Sequence, residues 1–416
     1  MKIRIIFIWA ALLLLVSSCK DDEPKTLTLH TPQQVDNVIT LNWEQANISG
    51  FQYYMVMRSS DQQHYDVIND IATPTSDAFR KEITSFDDRT YPLGIDTLYY
   101  KIMAVGNETL SSKNVCYPIE NPVKFLKEQV RDMYYVKESN KFSVLLYDNP
   151  SYQIKLKTFD LKTGQFSSNE ATIDLSSSGC WYFWGEYNGK TEFYNYDSDW
   201  TMYVYNASTL QQVASLQTPI YVWYDPSISN NKGIVYIYSG YYLYLISRTT
   251  GTLTQYQPTS YFDANRLYYN SKDNKLYVVD YYSSHIRTFN LDNSGNVTGE
   301  ETYTIGNDYS SQLLYIENSS LFIVSTNSGV KILDMNTKTL YNTDLTQIPN
   351  LALLNNNVLY VSSNGNSIYQ LSVGDFKLIK TIPVRVTPLK FMTDNEYLYF
   401  FGQYDYNNFI IDKIKL

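Results

Sequence analysis

The chain has 416 residues and a net charge of −9, and nowhere does it gather the basic stripe that displaces counterions from nucleic acid, which argues against a nucleic-acid partner. Its length suits two or three domains, one of them large. Tyrosine is the compositional outlier, 41 residues against 18 Phe and 6 Trp, and its half-polar ring serves half-buried strands and wet binding surfaces alike.

At the N-terminus, Lys2 and Arg4 precede an apolar run from Ile5 to Val16, of signal-peptide length and too short to span a bilayer as a helix. The run stops at Ser17, Ser18 and Cys19, and an acidic cluster follows. Val16-Ser17-Ser18-Cys19 resembles a bacterial lipobox, which implies that Cys19 is acylated and becomes the mature N-terminus. Lipid contributes roughly 0.8 kcal/mol per buried methylene, so a multiply acylated Cys19 would anchor the chain without a spanning segment. Lys20-Asp21-Asp22-Glu23 is similar to the surface-export signal of Bacteroidota lipoproteins, which implies an outer-membrane protein facing outward. Residues 1–19 are thus expected to be a lipoprotein signal peptide and 20–27 an acidic tether.

Residues 28–120 read as short strands separated by turns: "TLNWEQ", "GFQYYMVMRSS", "YDVIND", "DTLYYKIMAVG" and "LSSKNVCY". Leu41 and Trp43 alternate with Asn42 and Glu44, the mark of a strand with one face in a core and one in water. Alternating strands at this spacing predict a β-sandwich. The segment resembles a fibronectin type III domain, with Trp43 as its core tryptophan and Tyr100-Lys101-Ile102-Met103-Ala104-Val105 similar to its Tyr-x-Val-x-Ala-Val strand. That resemblance makes Tyr100 the tyrosine-corner residue and the domain a spacer or binding module.

From residue 121 to 416 a different unit recurs: an apolar strand, a polar turn, a second strand, then a turn rich in Asp, Asn and Ser. Seven copies run from "FSVLLYDNPSYQIKLKTFDLKTG" to "YLYFFGQYDYNNFIIDKIKL". Their turn positions, Asp160, Asn206, Ser247, Asn290, Asp334, Ser372 and Asp412, span 252 residues in six steps, an average of 42. That is the period of a four-stranded propeller blade. Runs such as "LYVV", "LFIV" and "YLYFF" are apolar on both sides, as strands covered on both faces must be. The seventh copy ends at Leu416 without a fourth strand, so "PVKFLK" at 122–127 is expected to complete it and remove an exposed edge. The repeats resemble seven-bladed propellers of the YVTN and quinoprotein-like kind. The expected fold class is therefore all-β, a fibronectin type III-like β-sandwich followed by a seven-bladed β-propeller.

The three histidines, His30, His64 and His285, form no metal-binding pair, and no nucleophile elbow or phosphate loop is present. No metal and no cofactor is expected. Asp197 and Asp199 could serve as an acid and base on a glycoside, although a loop full of Asn, Asp and Ser favours turn chemistry. Cys116 and Cys180 match no metal spacing and read as two free thiols rather than one disulfide.

Aromatic side chains sort by loop. In a propeller the turns between second and third strands share a face with the connections leading into each first strand. The turns carry Tyr196, Trp200, Tyr241, Tyr242, Tyr281 and Tyr282; the lead-ins carry Trp181, Tyr182, Trp223, Tyr224, Tyr261 and Tyr309. Rings beside Asp and Asn suit sugars, which stack on aromatic faces while amides and carboxylates bond hydroxyls, and the same rings could anchor a protein. The competing expectation is that they pack between blades and emerge only at strand ends. The sequence thus points to a non-catalytic surface lipoprotein binding glycan or a partner protein. Two rival readings stand beside it: a carbohydrate-active lyase or hydrolase, and a structural or adhesion component of an outer-membrane complex.

Overall fold

The structure, a computed structural model, describes residues 26–416 except 36–37, 93–94, 120–123, 127, 149–152, 174–180, 198–199, 219–226, 230–232, 240, 281–283, 307–308, 318, 327, 395 and 406–407. Cys19, the lipobox and nearly all of the tether lie outside these residues. So do Cys180, Asp199, Trp223, Tyr224, Tyr281 and Tyr282. The chain is all-β, and its one helical turn among the described residues is the 3-10 segment Asp77–Phe79. No helix among them is long and apolar enough to cross a membrane. It divides into two units, Met1–Pro122 and Val123–Leu416.

In the first unit, a sheet of Gln33–Val35, Val38–Asn42 and Ser85–Asp88 accompanies a five-stranded sheet built on Tyr53–Ser59 and Thr97–Val105. The alternation read from the sequence is reproduced side chain by side chain: Leu41 and Trp43 are buried, Asn42 and Glu44 exposed, and Tyr100, Ile102 and Ala104 are wholly buried. Trp43 meets Tyr54 edge-on at 5.3 Å inside this core. Tyr100 does not make the tyrosine-corner bond. Its hydroxyl donates 2.8 Å to the Asp88 carboxylate, not to a backbone carbonyl. Asp88 is completely buried and also takes Arg58 at 2.9 Å and the Thr90 backbone N–H at 2.9 Å. A buried carboxylate needs that many donors, and it captures the tyrosine as one of them. Cys116 is an exposed free thiol.

In the second unit the described residues form seven four-stranded antiparallel sheets. Six are made of consecutive strands: Gln129–Ile173, Trp181–Gln217, Ser227–Tyr256, Ala264–Thr304, Tyr309–Asn342 and Pro349–Pro383. The seventh takes Lys390–Thr393, Tyr397–Asp405 and Asn408–Lys415 and is completed by Lys124–Leu126, which pairs with Phe409–Ile411. The edge strand expected from the sequence is therefore occupied.

Second strands such as Lys275–Asp280 and Leu321–Thr326 are buried on both faces, whereas fourth strands such as Leu378–Pro383 are largely exposed. Apolar clusters join the first sheet to the second, the second to the third, and so on to the sixth. The first strand of the sixth lies against that of the seventh. A further cluster, with Phe142, Tyr399 and Phe401, packs the seventh against the first. Full burial of each such side chain contributes about 1.5–3 kcal/mol, so the inter-sheet seams hold the unit together.

Candidate functional site

The loop-borne aromatics divide by position along the strand. Tyr241, in the turn between the second and third strands of the third sheet, is 66% exposed, and Tyr261, on the lead-in to the fourth, is 57% exposed. Their ring centroids lie 4.9 Å apart at 50°, so two solvent-facing rings from separate loops form one aromatic surface. Trp200 occupies the same end of the second sheet, 44% exposed. Its φ of +66° is a left-handed conformation that a bulky residue rarely adopts. The backbone is held there by Thr218, whose N–H and hydroxyl both donate to the Trp200 carbonyl at 2.8 Å.

The other described rings turn inward. Tyr196, taken from the sequence as a face residue, is a core residue between the second and third sheets, because the last position of a strand covered on both faces is still beneath its neighbour. Trp181 is half-buried in the same seam, and Tyr182 packs in the seam of the first and second sheets, with the Arg131 guanidinium 5.5 Å over its ring. Tyr242 is half-buried, 5.9 Å from Tyr244. Tyr309 opens its strand, with its side chain outside the described residues.

The loop carrying Tyr261 is fixed from beneath. Buried Arg287 donates to the Ser260 carbonyl at 2.7 Å and to the Ser260 hydroxyl at 2.8 Å, and its guanidinium lies 4.7 Å over the Phe262 ring. Glu300 accepts from the Thr259 N–H at 2.8 Å and from the Thr259 hydroxyl. Burial pushes the neighbouring Tyr238 hydroxyl up to about 12, against the opposing pull of Arg287, so it stays a neutral donor or acceptor at physiological pH.

The histidines sit in turn or surface contacts. Ser284 Oγ and Asp280 Oδ2 both lie on Nδ1 of His285, at 2.8 and 2.9 Å, whereas nucleophilic catalysis needs the acid and the nucleophile on opposite ring nitrogens. The cluster closes a turn, with the His285 N–H donating to Asp280 at 3.0 Å. His64 pairs with Asp61 in an exposed turn, and His30 is exposed. Among the described residues no group of three His, Cys, Asp or Glu is placed to hold a metal ion. No protein-family model matches this chain, and no curated protein does either. The site is therefore read from its own geometry.

A second constellation lies outside the loop pattern. Lys390 in the seventh sheet contacts Asp132 of the first at 2.9 Å, and its ammonium stands 4.8 Å from the Trp184 ring and 5.8 Å from that of Tyr134. Tyr134 and Trp184, from the first and second sheets, stack at 6.0 Å with 8° between their planes. Lys137 pairs loosely with Glu186 at 3.8 Å. Glu317, in the turn after the fifth sheet's first strand, interacts electrostatically with Tyr134, Glu186, Lys137 and Lys390. Side chains of the first, second and seventh sheets thus meet at one place. Sequence reasoning missed it by searching loops. Its signal was charge within or beside otherwise apolar first strands, at Asp132, Glu186 and Lys390.

Proposed function

We propose that the chain is a non-catalytic surface lipoprotein, anchored through Cys19, in which a fibronectin type III-like β-sandwich at 28–120 carries a seven-bladed β-propeller at 121–416. Seven four-stranded sheets with a 42-residue period, packing in chain order and returning from the seventh to the first, support the propeller. The ligand, a glycan or a partner protein, is bound at the end of the propeller that carries Tyr241, Tyr261 and Trp200. The exposed ring pair of Tyr241 and Tyr261 carries this reading: two large rings stand in water, and the loop of one of them, Tyr261, is held in place by buried Arg287 and half-buried Glu300 before any ligand arrives.

Each ring stacked on a ligand contributes on the order of 1 kcal/mol or more, and a solvent-facing ring fills no core. Tyr241→Ala and Tyr261→Ala should therefore each weaken binding several-fold and leave the melting curve unchanged. A glycan array on the chain from residue 20 finds the ligand, and a reducing-sugar assay on any hit tests the enzyme alternative. Large destabilisation by both substitutions would make the rings packing residues and end the binding-face reading.

The anchor has its own test. Cys19→Ala should release the protein from membranes into the soluble fraction, since acylation of Cys19 is the attachment proposed here. A mutant that still pellets with membranes after a high-salt wash would refute the lipoprotein reading.

A further inference from the structure

The turn between the second and third strands of the fourth sheet leaves one ring nitrogen uncommitted. His285 opens the strand His285–Leu291, and its side chain is 42% exposed. Its Nδ1 lies 2.9 Å from Oδ2 of Asp280, a side chain only 10% exposed, and the Ser284 hydroxyl donates to the same oxygen at 3.0 Å. A carboxylate only accepts, so Nδ1 carries the proton and the neutral ring keeps its lone pair on Nε2. Every ring contact of His285 among the described residues is made through Nδ1.

Strand geometry places this ring beside the exposed tyrosines. Alternate residues of a strand share a face, so His285, Arg287 and Phe289 stand on one side of the fourth sheet. Phe289 packs into the cluster shared with the third sheet. Arg287 reaches the Tyr238 hydroxyl of that sheet at 3.4 Å and both oxygens of Ser260 at 2.7 and 2.8 Å. Tyr238 ends the strand that leads into the turn of Tyr241, and Ser260 adjoins Tyr261. His285 is the next residue on that face toward the loops, on the side of the sheet where the two exposed rings meet.

We propose that His285 Nε2 belongs to the ligand site at this end, where it accepts a hydrogen bond from a hydroxyl of a neutral saccharide stacked on Tyr241 or Tyr261. The inference rests on the reading of the aromatic end as the binding face, and it selects glycan over protein as the ligand. A stable protein partner needs a contact patch of roughly 800 Å² on each side. Two rings tilted at 50° with one placed acceptor make a wedge on the scale of a sugar residue, whose C–H face lies on a ring while its hydroxyls meet polar atoms. The Asp280 carboxylate stands directly behind the imidazole, which disfavours an acidic sugar.

An array of neutral oligosaccharides probed with the full chain in mild detergent tests the proposal, with His285→Asn and His285→Gln beside the parent. Asparagine keeps an amide N–H near the place of Nδ1 and has nothing at Nε2, whereas glutamine sets its amide near Nε2. Binding by the parent is expected, weakened roughly fivefold or more by His285→Asn at unchanged melting temperature and partly recovered by His285→Gln. Parental binding by His285→Asn, while Tyr261→Ala loses it, would overturn this inference and leave the binding face standing. Undiminished binding by both Tyr241→Ala and Tyr261→Ala would remove the face and the inference together. Failure of the parent to bind any neutral glycan overturns the choice of saccharide. Should His285→Asn melt early, carbethoxylation of the parent by diethyl pyrocarbonate, mapped by mass spectrometry, decides: protection of His285 by the bound glycan upholds the site, and equal modification with and without it overturns it.

Discussion

Glu192→Ala is expected to destabilise the second unit by about 3–5 kcal/mol, the usual cost of removing one partner from a buried ion pair. Glu192 and Arg248 join the second and third sheets with side chains only 7% and 10% exposed. The pairing is bidentate, Arg248 Nε and Nη2 donating to the two carboxylate oxygens at 3.0 and 2.9 Å, a geometry that fixes both planes. Tyr194, fully buried, adds its hydroxyl to Glu192 at 2.6 Å, and the guanidinium lies 5.6 Å from the Tyr187 ring. Truncation therefore leaves a buried guanidinium without its charge and a phenol without its acceptor. Burial first, then the adjacent carboxylate, raises the Tyr194 hydroxyl far above its ordinary range, so it cannot ionise to relieve the loss. Apolar replacement of both partners, Glu192→Leu with Arg248→Met, should recover most of the loss, because neither desolvated charge then remains. Urea unfolding measures both variants. A loss below about 1 kcal/mol for Glu192→Ala would mean that the pair is solvated like a surface salt bridge.

This ion pair was not legible in the sequence, and the reason is general to the unit. Period and two-sided apolar runs identify strands covered on both faces, and the missing fourth strand of the seventh copy pointed to residues 122–127, of which Lys124–Leu126 pairs with the C-terminal strand. Once both faces are covered, however, alternation no longer tells inside from outside. Tyr196 and Tyr241 stand in comparable loop contexts in the sequence, yet one is a core residue and the other is 66% exposed. Only the distance past the strand end separates them. In the first unit, with water on one side of each sheet, the alternation of Leu41, Asn42, Trp43 and Glu44 did predict burial. The partner of the Tyr100 hydroxyl was beyond such reasoning, since Asp88 reaches it across the core from another strand.

Replacing both Lys124 and Phe125 by proline is expected to cost about 3 kcal/mol or more, a large effect for two residues of a three-residue strand. In an antiparallel ladder successive residues point their N–H groups alternately toward and away from the partner strand, so one of the two prolines must delete a bond to Phe409–Ile411. The strand is also the fourth member of the seventh sheet and comes from a position more than 280 residues upstream of its partner. Releasing it uncovers the edge of Asn408–Lys415, a strand with Phe409, Ile410, Ile411 and Ile414 all buried, and an open apolar edge invites pairing with another chain. Ile379→Pro is the matched control. Ile379 lies in the outer strand of the sixth sheet at an irregularity in the ladder, where it has no cross-strand partner, and its side chain is 57% exposed. Proline is tolerated at edge strands and bulges, so this substitution should cost little. Thermal melts with light scattering compare the two: the double proline variant should melt early and aggregate, while Ile379→Pro should behave as the parent. Equal melting curves would show that the Lys124–Leu126 strand does not stabilise the seventh sheet.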